Sequence, residues 1–259
     1  MTRLAFSLVL LLLVAVMAPV QHASAAPAAD PYESEAQYYS DPLEPFNRAV
    51  FGFNKYFDMV ILRPLAYGYK NYLPNFVQTG THNVLSNLMS PVSLLNELLQ
   101  GDITGANIVA WRFVTNTILG VGGLVDVADY AGRPSIPRED FGQTLGHYGV
   151  GAGPYLVLPI IGPSNLRDVS GRVVDIFTDP LNLYAMNTEK DWIMWTRAGL
   201  TGIDTRAILL EPYDDIMENS VDPYSSFRSV YSQNRTYAIR DRIYQEGGVM
   251  DAYTAGEKN

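Results

Sequence analysis

FGQTLGHYGVGAGPYLVLPIIGPSNLRD, from Phe141 to Asp168, is the stretch on which the reading of the whole chain turns. Its first part carries glycine at Gly142, Gly146, Gly149, Gly151 and Gly153. That density disfavours a helix interior, where each glycine costs about 1 kcal/mol against alanine. Pro154 follows, then the apolar run Tyr155, Leu156, Val157, Leu158, then Pro159, and Gly162-Pro163 closes the segment. A proline cannot donate to a sheet ladder, so a central strand is excluded. The pattern predicts an irregular, glycine-hinged apolar loop or open hairpin. Loops usually run polar across a surface, so an apolar one has to be covered, by protein or by lipid. The plainer alternative is a buried connector between two helical halves.

Working outward, the 259 residues are 47% apolar and 17% charged, enough to build one large domain. A net charge of −9 argues against nucleic acid and against adhesion to anionic lipid by bulk charge, so any lipid affinity has to come from apolar surface. Residues 1–25 read as a secretory signal: Arg3, the apolar run Leu8 to Met17, and Ala23-Ser24-Ala25 as the cleavage site. Residues 26–40 read as a flexible leader, 41–246 as one helical domain and 247–259 as a disordered tail. Cysteine is absent, which leaves no disulfide and no lipidated cysteine. No later segment has the uninterrupted apolar length of a spanning helix.

The helical expectation rests on punctuation. Asp41-Pro42, Ser90-Pro91, Asp179-Pro180 and Asp222-Pro223 each pair a capping residue with proline at the first helical position. Expected helices run from Leu43 to Leu62, Leu65 to Tyr72, from Pro74 onward, Val92 to Leu99, Ile103 to Leu119, Asn165 to Phe177 behind Ser164, Thr205 to Met217, and Pro223 to Glu246 up to Gly247-Gly248. Pro64 and Pro91 are read as breaks. Arg48 is placed to pair with Glu44 one turn back, or to present a polar spot on an apolar wall. Arg133, Arg138, Glu139 and Asp140 are read as solvated charges on a polar loop. Gly120-Val121-Gly122-Gly123 looks like a phosphate loop but follows a helix, so it is read as a turn.

Three segments carry a family resemblance: DPLEPFNRAVFGFN (Asp41 to Asn54), LMSPVSLLNELLQGD with RFVTNTILGVGGLVD (Leu88 to Asp126), and the glycine-rich stretch itself. Together they resemble the MlaA (VacJ) family, the outer-membrane component of the bacterial system that maintains lipid asymmetry. The resemblance implies a mostly α fold, a compact ring-like arrangement of amphipathic helices in the inner leaflet of the outer membrane. It implies phospholipid passing through an amphiphilic channel, a porin trimer alongside, and a periplasmic lipid carrier receiving the cargo, with no cofactor. By position it assigns Phe46, Asn47, Arg48, Tyr155 and Leu158 to the lipid path. It assigns Gly142, Gly146, Gly149, Gly151, Gly153, Pro154 and Pro159 to a gating loop. Members of the family commonly carry a lipidated cysteine after the signal, which this sequence lacks.

Catalysis finds little support. After the signal the chain offers His82 and His147, without cysteine, a nucleophile elbow or a metal-binding histidine pair. The competing readings are a soluble periplasmic lipid-binding protein, with the apolar loop closing a pocket, and a purely structural envelope protein.

Overall fold

The computed structural model describes residues 39–133 and 135–256, with side chains as far as Ile239. The expected signal, all but the end of the leader, and residues 257–259 of the tail lie outside the described residues. The elements are α1 (Glu44–Phe57), a π-turn (Asp58–Leu62), α2 (Arg63–Tyr72), α3 (Asn75–Gln100), α4 (Ile103–Ile118), α5 (Val127–Tyr130), α6 (Phe141–His147), β1 (Tyr155–Leu158), β2 (Gly162–Asn165), α7 (Leu166–Thr178), α8 (Pro180–Asn187), α9 (Trp192–Ile208), α10 (Leu210–Asn219) and α11 (Pro223–Gly256). The protein is mostly α, with one two-stranded antiparallel hairpin in which Tyr155 pairs with Asn165 and Leu158 with Gly162.

Of the expected cap–proline starts, Asp179-Pro180 caps its helix, whereas α1 starts behind Leu43 without a side-chain cap and Ser90-Pro91 lies inside α3. Asp102, Asp126, Asp140, Asn165 and Asp179 each accept a hydrogen bond from a first-turn backbone N–H. The cap of α7 is Asn165, one residue beyond the expected Ser164.

Neither expected proline break occurs. Pro64 lies two residues past the π-turn, whose wider winding makes room for the ring against the carbonyl of Val60, so α1 and α2 form one continuous rod. Pro91 lies inside the 26-residue α3. There α3 is packed along its length by α4, α6 and α9, and tertiary packing outweighs the lost hydrogen bond. The expected helix from Thr205 to Met217 is instead divided between α9 and α10, and α11 continues through Gly247-Gly248 to Gly256.

The glycine-rich stretch splits in two. Gly142 and Gly146 are helical, in α6, contrary to their place in a loop. Their use is close approach: a Cβ on Gly171 of α7 would meet Gly142 N at 2.3 Å, so α6 and α7 cross backbone to backbone. Gly149 and Gly153 take positive φ (81° and 68°) in the loop before β1. At the hairpin tip Ile160 also takes positive φ (68°), a costly state for a β-branched residue.

The end of the leader is not loose. Tyr39 is buried with Tyr155, Val157 and Tyr224, and Ser40 O accepts from Tyr155 N at 2.9 Å. A second small core joins Phe141, Leu145 and Val174. Among the described residues the interior is polar to an unusual degree: Asn47, Asn96, Glu97, Thr144, Ser164, Asn165 and Ser232 are all less than 2% exposed. The exterior is correspondingly apolar. Phe46, Tyr56, Met59 and Tyr72 on the α1–α2 rod, Ile103, Ile118 and Leu119 around α4, and Trp192 and Trp195 on α9 are each more than half exposed.

Candidate functional site

Three connected features make up the site: a seam that fastens the hairpin, a buried ion cluster beneath it, and a polar recess along α3.

The seam is built by two asparagines spaced seven residues apart, two turns along one face of α1. Asn47 Nδ2 donates to Tyr155 O at 3.0 Å and Asn47 Oδ1 accepts from Val157 N at 2.9 Å. Asn54 Nδ2 donates to Leu158 O at 2.9 Å and Asn54 Oδ1 accepts from Ile160 N at 2.7 Å. The free edge of β1 is thus paired by side-chain amides of a helix. Asn47 also donates to Asp41 at 2.8 Å, and Asp41 is bound by Arg228 and by the Tyr224 hydroxyl of α11. Asn47 is therefore completely buried and fully used, not a wall residue of an open path as the resemblance assigned it. Tyr155 is equally buried, at the centre of an aromatic group with Tyr224 and Tyr231. Phe46 points outward, 60% exposed, and Leu158 is half-buried. Arg48 pairs with Glu44 at 2.7 Å, as its spacing predicts, and also with Asp222 at 2.7 Å.

The ion cluster centres on Arg235 of α11. Its guanidinium spans Asp140, the cap of α6, at 2.7 Å through both Nη1 and Nη2, and Asp168 of α7 at 2.7 Å through Nε. Tyr231 donates to the same Asp168. Burial would raise both carboxyls, but the hydrogen bonds and charge of Arg235 outweigh it and hold them below the usual carboxylate range. At the neighbouring acids burial outweighs what the charge of Arg235 supplies. Burial pushes Glu139 up to about 8 against a hydrogen bond from Gln100, and Asp175 up to about 6 against those from Phe141 N and Asn96. Glu139 is thus buried and not a solvated loop charge, while Asp140, still partly exposed, is engaged by Arg235.

The recess has a volume of about 370 Å³ and lies between α3, α4 and the loop before α6. α3 lines it with His82, Ser86, Ser90 and Ser93 and, alongside, Asn83 and Asn87, all brought to one side by helical spacing. α4 adds Arg112 and Asn116, and the loop adds Ile136 and Arg138. Arg112 is held by Asp126 at 2.7 Å. His82 Nδ1 lies 2.8 Å from Asp204, which also accepts from Tyr69. Arg138 reaches Ser86 Oγ at 3.1 Å and Met89 Sδ at 3.0 Å. Sequence reasoning passed over this lining; the only available signal was the run of small polar residues at helical spacing in an otherwise apolar helix. A second recess of about 500 Å³ lies under the loop Gly149 to Gly153, with Arg167 in its wall.

The geometry explains a match along most of the chain. The family model of MlaA lipoproteins covers residues 39–238. The chain belongs to the MlaA family. It is 40% identical over 212 residues to the protein named intermembrane phospholipid transport system lipoprotein MlaA of Escherichia coli (strain K12), covering 79% of this chain and 80% of that protein. It is 42% identical over 201 residues to an uncharacterized protein of Rickettsia prowazekii (strain Madrid E), covering 77% and 78% respectively. A solved structure described as "Structural basis for maintenance of bacterial outer membrane lipid asymmetry" superposes with a TM-score of 0.68 at 41% identity, over 77% of this chain and 99% of that one. The MlaA match begins at Tyr39, which is buried against the hairpin. Among the described residues no helix is long and apolar enough to cross a membrane, and no group of metal-ligating side chains assembles.

Proposed function

We propose that this protein is the outer-membrane component of an intermembrane phospholipid transport system. It withdraws phospholipid from the outer leaflet and passes it towards a periplasmic carrier. One observation carries the reading: apolar side chains cover the outside while polar ones line the inside. A soluble protein pays for exposed aromatic and aliphatic surface with aggregation, whereas a protein lying in one leaflet is solvated by acyl chains there. The α1–α2 rod, α4 and the α9 tryptophans supply that surface, and Phe46 contacts lipid from it. The recess along α3 then offers a headgroup polar partners where hydrocarbon would offer none, each unsatisfied polar group costing several kcal/mol.

The finer assignments follow from this placement. The protein lies in the inner leaflet and meets a trimeric porin through its apolar rim. Gly149, Gly151, Gly153 and Pro154 form the flexible approach to the hairpin, and Pro159 shapes its tip. The test is to delete the gene and measure phospholipid exposed at the cell surface with an externally added amine-reactive probe. Surface phospholipid should rise and return to normal when the protein is restored. An unchanged level, with the protein recovered from the soluble fraction, would sink the proposal in favour of a soluble lipid-binding protein.

A further inference from the structure

Among the described residues, the polar recess holds one arginine with no carboxylate at ion-pair distance. Arg112 in the same recess is neutralised by Asp126 at 2.7 Å. Arg138 holds no carboxylate at ion-pair distance among the described residues; its hydrogen-bond partners are a thioether at 3.0 Å and a hydroxyl at 3.1 Å. Burial by the surrounding helices draws its pKa down, with Asp204 acting the other way from a distance and Arg197 adding to the fall. Yet the side chain stays open to solvent. The exposed guanidinium lines this recess with neutral hydrogen-bond partners only, which leaves it available to an anion seated there. The lining carries two arginines against one aspartate, within a chain whose overall net charge is −9.

We propose that Arg138 reads phosphate in this recess: its guanidinium fork, together with the Ser86 hydroxyl, seats the phosphodiester of a glycerophospholipid headgroup. The planar fork matches two phosphate oxygens at once. Ser86 Oγ accepts from Arg138 and keeps its own hydrogen to donate to a third. The nearby carboxylates are already engaged, Asp126 by Arg112 and Asn116, Asp204 by His82 and Tyr69. An ammonium group therefore finds no carboxylate waiting. The recess reads the phosphodiester and not the alcohol esterified to it, so ethanolamine and glycerol headgroups are accepted alike. The assignment rests on the lipid-transport reading above.

The experiment compares wild type with Arg138→Gln, with Arg138→Lys, which keeps the charge and loses the fork, and with Arg172→Gln, an exposed arginine on α7 that controls for net charge. Each full-length protein is extracted in mild detergent, and bound phospholipid per protein is measured by phosphorus assay and mass spectrometry. In parallel, each is dialysed against radiolabelled inorganic phosphate. Wild type and R172Q should retain equal phospholipid, with the headgroup ratio of the source membrane. R138Q should retain at least about tenfold less, the scale of one lost charge-assisted bond, and R138K an intermediate amount. Wild-type retention by R138Q overturns the proposal while leaving lipid transport intact. Inorganic phosphate bound through Arg138, with no phospholipid in wild type, overturns the lipid assignment and gives the site to the free anion. Wild type holding neither overturns this proposal and the lipid-transport reading together. Should R138Q melt below wild type, an ordered R138K holding as much lipid as wild type overturns the fork.

Discussion

Asn47 acts as a missing β-strand for Val157. Its Oδ1 accepts from Val157 N at 2.9 Å while its Nδ2 donates to Tyr155 O at 3.0 Å, so one helical side chain closes two rungs of a strand edge. Asn47→Ala should strand those groups in a dry interior at about 1–3 kcal/mol each, a total loss of about 3 kcal/mol or more. Asn54→Ala, at the half-exposed end of the seam, should cost about 1 kcal/mol. Thermal melts followed by circular dichroism rank the two, and equal melting temperatures would contradict the seam.

The glycines of the stretch should divide by role. Gly171→Ala drives a Cβ into Gly142 N and Cα, where backbone cannot yield, and should destabilise by about 3 kcal/mol. A Cβ on Gly151 meets nothing within 4 Å, so Gly151→Ala should leave stability within about 0.5 kcal/mol of wild type. Denaturant midpoints read the contrast. If Gly151→Val, stable as wild type, still slows the return of surface phospholipid to normal, the loop's freedom and not its packing is what transport needs; full activity would reject the hinge.

Arg235 and Arg48 offer a second contrast. Arg235→Ala abandons the buried carboxylate of Asp168 and the partly exposed one of Asp140, and should cost about 3 kcal/mol. Arg48→Ala removes pairs that are largely exposed and should cost less than about 1 kcal/mol. Urea titrations test both, and comparable losses would mean the burial of the Arg235 cluster does not set its strength.

Acidity should act in two directions. Asp140 and Asp168 are depressed in the folded protein, so their stabilisation is present above about pH 4 and is lost as pH falls through their folded values. Glu139 is raised to about 8, so the folded state binds a proton that the unfolded state has released. Its stabilisation is complete below about pH 4.5 and drains away as pH rises to about 8. Glu139→Gln should flatten the decline in melting temperature between pH 5 and 8 while leaving the acid limb unchanged. An unaltered slope would show that Glu139 is ionised inside the fold.

The sequence by itself determined the helical class, most helix starts and the family. A cap such as Asp179 and a spacing such as Arg48 to Glu44 are local, and local chemistry survives in any tertiary setting. It also marked Phe141 to Asp168 as decisive, without revealing how its glycines divide. Only the tertiary structure decided that Pro91 would stay helical, that Gly142 would serve a helix crossing, and that Asp140 would pair with an arginine 95 residues away. It alone gathered Arg138 and the serines of α3 around one recess. The physical reason is common to all four. Packing between distant segments contributes more free energy than a proline or glycine withholds, and a charge's worth depends on whichever partners the fold brings to it.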